Sequence, residues 1–160
     1  MAINTSTIFV TTTLRGILSF DLTVQTAKSN MHSGFSGPYP NPYFIMNQLL
    51  ARVVNFETQE LLPEFECEIP QFRVEQTHDA ARKFPETDSG FLLDGVSTTA
   101  MKHQGAADAA EKLHMNLKEW WKPALAVIGI EGLPTDLATA GNVVYKQLKY
   151  RLSVRTAPNQ

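Results

Sequence analysis

Leu18, Phe20, Leu22 and Val24 alternate with Ser19, Asp21, Thr23 and Gln25. A period of two is that of a half-buried strand with its apolar set on one side. Residues 26–40 lose this pattern and carry the Gly, Ser and Pro of turns. Asn41 then stands as an N-cap before Pro42 at the first helical position, where a missing N–H costs nothing. The helix begun there is predicted to run to about Phe56. Ile45, Leu49 and Val53 form one stripe on it, and Met46, Leu50 and Val54 a second beside the first. So wide an apolar face exceeds one sheet contact and is available to a partner subunit.

Residues 57–104 are punctuated by Pro63, Pro70, Pro85, Gly90 and Gly95, which predicts short helices joined by loops, one of them near 73–83. Residues 106–121 are rich in Ala, Glu, Lys and Leu and should be helical, ending before Pro123. Trp120-Trp121 reads as a hydrophobic anchor where this helical insert, about 57–122, rejoins the sheet. From Ala124 to Ile130 the chain is almost continuously apolar, which predicts a strand covered on both faces. Gly132, Pro134 and Gly141 bound a loop. In the last strand Leu148, Tyr150, Leu152 and Val154 face one way, and Lys149, Arg151, Ser153 and Arg155 the other. The pattern predicts an α+β fold, an antiparallel sheet with helices on one face.

Size and charge narrow the function. A chain of 160 residues is one domain by size and can bury about two-thirds of its unfolded surface. Its net charge of −2, with the signs interspersed, offers no basic stripe for nucleic acid and no polybasic run for a membrane surface. Cys67 is the single cysteine, which excludes an internal disulfide and fits a reducing, cytoplasmic compartment. The first ten residues lack the basic and apolar segments of a signal peptide.

Candidate chemistry starts at His32. The run His32-Ser33-Gly34 lies in a loop between a strand and a helix start, where a histidine is presented rather than packed. Cys67 with His78 or His103 would be the pair for a cysteine hydrolase. The neighbours Glu66 and Glu68, however, disfavour a thiolate. His78, His103 and His114 include no i, i+4 pair that could hold zinc on one helix face. No metal site is expected in this chain.

Five short motifs in order carry a resemblance. They are Leu14-Arg15-Gly16, then His32-Ser33-Gly34 with Asn41-Pro42, then Lys122-Pro123-Ala124-Leu125 running into Gly129-Ile130-Glu131-Gly132. Gly141-Asn142-Val143-Val144 and Arg155 ahead of Pro158-Asn159 complete the set. Together they resemble the lid, or dimerisation, domain of the di-zinc metallopeptidases: carnosinase-type dipeptidases, aminoacylases and acetylornithine deacetylases. The long middle segment is similar to the carnosinase-like branch. The resemblance covers roughly residues 14–56 and 120–160. It implies a ferredoxin-like two-layer lid domain with a helical insert, a homodimer, and small peptide or N-acyl amino acid substrates.

The same resemblance assigns roles. His32 would cross into the partner subunit's active site and support the oxyanion formed at the scissile carbonyl. Arg155 would grip the substrate's terminal carboxylate, with Arg151 as its competitor one step along the alternation. Asn142 would lie beside the substrate backbone. Two zinc ions, or manganese or cobalt, would sit in a catalytic domain whose His-x-Asp and Glu-Glu motifs are missing from this chain. The chain is therefore expected to be one lid domain from a longer enzyme, and inactive alone. The alternative is a non-catalytic homodimerisation or ligand-binding module.

Overall fold

The computed structural model describes residues 2–4, 7–8, 10–83 and 109–160. In chain order the strands and helices begin with β1 (Ala2–Asn4), β2 (Thr7–Ile8), β3 (Gly16–Gln25), β4 (Met31–His32) and α1 (Pro42–Leu50). They continue with β5 (Val54–Asn55), β6 (Glu60–Leu61), α2 (Gln71–Lys83), α3 (Ala109–Trp120), β7 (Ala124–Glu131), β8 (Val143–Val144) and β9 (Gln147–Thr156). Pro85, Gly90, Gly95, His103 and the expected helical residues 106–108 lie outside the described residues. The chain divides into two compact units. One comprises Met1–Gly16, Cys67–Pro123 and Arg155–Gln160, the other Ile17–Glu66 and Ala124–Val154.

The second unit holds the main sheet, in the order β3-β9-β7. Its strands run antiparallel. Asp21 meets Arg151 while Thr26 N–H donates to Lys146 O at 2.9 Å, so β3 and β9 number in opposite senses. On the other side of β9, Arg151 lies against Gly129 and Lys149 Nζ reaches Glu131 at 3.0 Å. The alternation expected of β9 is present. Leu148, Tyr150 and Leu152 are buried, and Lys149 and Arg151 point away into ion pairs.

Helix α1 covers the apolar face. Asn41 Oδ1 accepts from Tyr43 N–H at 2.9 Å and Pro42 follows at the first turn, so the expected cap forms. Met46 (0% exposed) and Leu50 enter a core with Val24, Leu148, Tyr150 and Leu152, flanked by Leu22, Ile45, Leu49 and Leu125. Full burial of a Met or Leu side chain stabilises by roughly 1.5–3 kcal/mol each. The result is the expected α+β arrangement, an antiparallel sheet with a helix laid on one face.

Three expectations need correction. Helix α1 stops at Leu50 rather than near Phe56. There the N–H groups of Arg52 and Val53 donate to Leu49 O at 3.2 Å and Leu50 O at 2.9 Å, a tightened last turn. Beyond it the Asn55 side chain accepts from Glu57 N–H at 2.8 Å and from Thr58 N–H at 3.3 Å, an Asx turn. With Gln59 at φ 58°, that turn folds Val54 and Asn55 back against Glu60 and Leu61. The apolar run of β7, an edge strand of this sheet, is not covered on both faces. Val127, Ile128 and Ile130 are 41%, 57% and 54% exposed. Finally, β3 buries only its C-terminal half, leaving Leu18 and Phe20 exposed beyond the reach of α1.

In the first unit α2 and α3 pack on each other, burying Thr77, Ala81, Asn116 and Trp121. Arg73 lies over the rings of Phe72 at 4.8 Å and Trp121 at 5.6 Å. Arg15 Nη1 donates to Lys118 O at 3.2 Å and Lys122 O at 3.1 Å. It thereby bonds carbonyls at the C-terminal end of α3 and just beyond it.

Candidate functional site

The loop carrying His32 is tied down before the histidine is reached. Asn30 Oδ1 accepts from Lys146 N–H at 3.0 Å across the fold. Met31 and His32 then form the two-residue strand β4, paired antiparallel with β8 so that His32 faces Val143. Ser33 N–H donates to Asn142 O at 2.8 Å. His32 and Asn142, far apart in sequence, are thus neighbours on one ladder, and both are exposed.

The imidazole is oriented by its own motif. Gly34 N–H donates to His32 Nδ1 at 3.0 Å. A neutral imidazole that accepts at Nδ1 carries its proton on Nε2, so Nε2–H is left as the donor of a ring that is exposed. Gly34 is small for a reason: a Cβ there would stand 3.0 Å from Nδ1. The His-Ser-Gly run therefore sets the direction and the tautomer of the ring as well as its exposure.

Arg155 lies in the other unit. It is exposed, and it makes no hydrogen bond or ion pair among the described residues. Arg151, its competitor on the same strand, is already engaged. Its Nε and Nη2 meet Asp21 Oδ1 and Oδ2 at 2.7 and 3.0 Å, a two-bonded fork. That fork, before any through-space attraction, holds the Asp21 carboxyl below its ordinary value.

Arg155 instead lines a cavity of about 570 Å³, together with Thr11, Thr12, Thr13, Arg15, Arg73 and Trp120. Sequence reasoning missed this cavity. Arg15 was visible only as part of a strand-opening motif, and nothing in the local pattern announces that it shares a wall with Arg155.

Among the described residues no three His, Cys, Asp or Glu side chains are grouped so as to hold a metal ion. The residues described here do not fit the zinc pair that the resemblance implies for its relatives. Cys67 is half-buried and free, and makes no hydrogen bond among the described residues. Among the described residues, which do not include His103, the cysteine-hydrolase arrangement of thiol, base and orienting group is not assembled there. Among the same residues no helix is long and apolar enough to cross a membrane.

No family model matches the chain. It is 25% identical over 152 residues to the Cys-Gly metallodipeptidase dug1 of Schizosaccharomyces pombe, a match over 91% of this chain and 29% of that protein. Solved structures with the same fold include the di-peptidase Dug1p from Saccharomyces cerevisiae (TM-score 0.59, 18% identity, 92% of this chain and 29% of that one). Human carnosine dipeptidase 1 gives a TM-score of 0.60 at 20% identity, over 92% of this chain and 30% of that one. The M20 family metallo-carboxypeptidase Sso-CP2 from Sulfolobus solfataricus gives 0.58 at 16% identity, over 92% and 32%. The chain has the fold of one segment of the M20 dipeptidases. It spans under a third of the length of each of these relatives.

Proposed function

We propose that this chain is the dimerisation and substrate-binding lid domain of a metal-dependent hydrolase that cleaves dipeptides or N-acyl amino acids. The observation that carries the reading is the Nε2–H of the exposed His32 ring, fixed by the Gly34 N–H bond and held beside Asn142. A fixed donor aimed at negative charge developing on a carbonyl oxygen contributes roughly 3 kcal/mol, or about 10²–10³ in rate. Asn142, just before the adjoining strand β8, would hydrogen-bond the substrate backbone. Arg155 would receive the terminal carboxylate, since among the described residues its guanidinium has no partner, whereas that of Arg151 is spent on Asp21. The metal chemistry would come from a catalytic domain of the longer protein and is no part of what these residues do.

In this reading His32 serves the active site of a partner subunit. The test is mixing. A His32→Ala parent enzyme should lose about 10²–10³ in kcat with its metal content unchanged. A second parent lacking a metal ligand is also nearly dead. After subunit exchange, each heterodimer has one site with intact metal ligands and an intact His32 from the other subunit, so activity should return. If exchange is demonstrated and no activity returns, His32 does not act across subunits.

A non-catalytic homodimerisation module is the second reading, favoured by the exposed apolar side chains on edge strand β7. His-x-Asp and Glu-Glu motifs in sequence flanking residue 14 on its N-terminal side would decide for the enzyme.

A further inference from the structure

The cavity of the first unit is more cationic than one carboxylate requires. Arg15, Arg73 and Arg155 line it, against a single acid, Glu119. Arg73 is committed, with Nη1 on Gln76 Oε1 at 2.8 Å and its guanidinium over the Phe72 and Trp121 rings. Arg15 is only partly committed. Among the described residues its hydrogen bonds leave from Nη1, which leaves Nε and Nη2 as donors there. Burial first, and then the charge of Arg155, make the protonated form of Arg15 harder to keep, which places the two guanidiniums within each other's field. Thr13 Oγ1, also in the cavity wall, is buried and has no hydrogen-bond partner among the described residues. A second anionic group between these residues would relieve the repulsion, use the spare donors and give the Thr13 hydroxyl a partner.

We propose that Arg15 and Thr13 form a second carboxylate subsite next to Arg155, so that the cavity selects substrates ending in aspartate or glutamate. The proposal rests on the Arg155 role given above and extends it to a substrate class. Arg155 takes the terminal carboxylate. Arg15, held in place by the carbonyls of Lys118 and Lys122, takes the side-chain carboxylate.

The experiment is calorimetric titration of the 160-residue chain with N-acetyl-aspartate and with N-acetyl-asparagine, which differ only in the second negative charge. The aspartate derivative should bind at least about tenfold more tightly, the difference expected of one charge-assisted pair. In Arg15→Gln the ratio should fall to near one while the asparagine derivative binds as before. Arg15→Lys keeps the charge without the fork and should give an intermediate ratio. Thr13→Val leaves both arginines in place and should weaken the aspartate derivative alone. Circular dichroism checks that each variant is folded. If Arg15→Gln is not, Arg15→Lys and Thr13→Val carry the test.

Equal binding of the two ligands by the unmodified chain overturns the proposal, as does a ratio that survives in the Arg15 variants. So does the absence of measurable aspartate-derivative binding. Arg155→Gln separates the two readings. Weaker binding of both ligands supports the terminal-carboxylate role. Unchanged binding of the asparagine derivative removes that role, and the two-carboxylate site with it.

Discussion

The backbone N–H of Ser33 donates to the carbonyl of Asn142 at 2.8 Å. This bond closes the short β4–β8 ladder one residue beyond the His32–Val143 pair. It converts two loops, each unremarkable alone, into one surface that presents an imidazole donor beside an amide. Both side chains are exposed, so the arrangement is not core packing. Among the described residues, the bond from Gly34 is what the His32 ring spends its Nδ1 on.

Gly34→Ala should therefore disturb the imidazole without unfolding the chain. The added methyl would stand 3.0 Å from Nδ1, closer than ordinary van der Waals contact, and the ring is free to swing away. Nitrogen-detected NMR of His32 should show the Nε2–H tautomer in the unmodified chain and a mixture of tautomers in the variant. In the parent enzyme the same substitution should lower kcat with substrate affinity little changed. An unaltered tautomer population would mean that the Gly34 bond does not set the ring.

The Asp21–Arg151 fork predicts a pH dependence of stability. The hydrogen bonds from Arg151 hold the folded-state pKa of Asp21 below its ordinary 3.8. A depressed carboxylate contributes stability that is complete above the unfolded value and is lost as pH falls through the folded one. Asp21→Asn should thus lower the melting temperature at pH 7 and leave it nearly unchanged at a pH below the folded value. The pair is exposed, so the neutral-pH difference should be small and should shrink in high salt. A difference that persisted in strong acid would point to packing rather than charge.

The exposed apolar side chains of β7 predict self-association. Ile128 and Ile130 flank Gly129, whose own face carries Arg151, so the two isoleucines project on the side of Tyr150 and Leu152. They remain over half exposed on a strand that has an unpaired edge. Such an edge is a template for a second chain. Light scattering should show a dimer whose population rises with concentration. Ile128→Lys should shift it to monomer without loss of melting temperature. A monomer at all concentrations would leave this surface without a role in assembly.

The same strand shows where sequence reading succeeds and where it fails. Alternation in β9 indicated correctly which residues enter the core, because Leu148, Tyr150 and Leu152 face a helix while their neighbours face water. In β7 an unbroken apolar run predicts coverage on both faces, yet Val127, Ile128 and Ile130 are exposed. A strand buried on both faces and an apolar strand at a sheet edge look alike in one dimension, and only the strand order separates them. The start of α1 was legible because its cap is local chemistry at Asn41 and Pro42. Its end lies in the tightened turn at Leu49–Val53 and in the β5–β6 pairing that follows, and periodicity gives no warning of either. At the site, His32 was legible as a presented loop residue. Its pairing with the segment of Asn142, and the meeting of Arg15 with Arg155 in one cavity, are tertiary events that no local pattern encodes.

The last prediction concerns the choice between two arginines on one strand. Arg151 and Arg155 share the alternation of β9, and either could meet a substrate carboxylate on sequence grounds. The structure distinguishes their availability. Arg151 would have to surrender two hydrogen bonds to Asp21 before it could bind anything else, whereas Arg155 has none among the described residues. In the parent enzyme Arg155→Ala should lower kcat/KM for substrates with a free terminal carboxylate by about 10–10²-fold, the effect expected of one charge-assisted pair. Amidated forms of the same substrates should be affected far less, because they offer nothing for the guanidinium fork to hold. Arg151→Ala should treat the two substrate forms alike and act only through the loss of its pair with Asp21. Arg155→Lys should recover part of the rate, since it restores the charge but not the two parallel bonds. If instead Arg151→Ala discriminates between free and amidated substrates and Arg155→Ala does not, the fork with Asp21 must open on binding and the carboxylate belongs to Arg151.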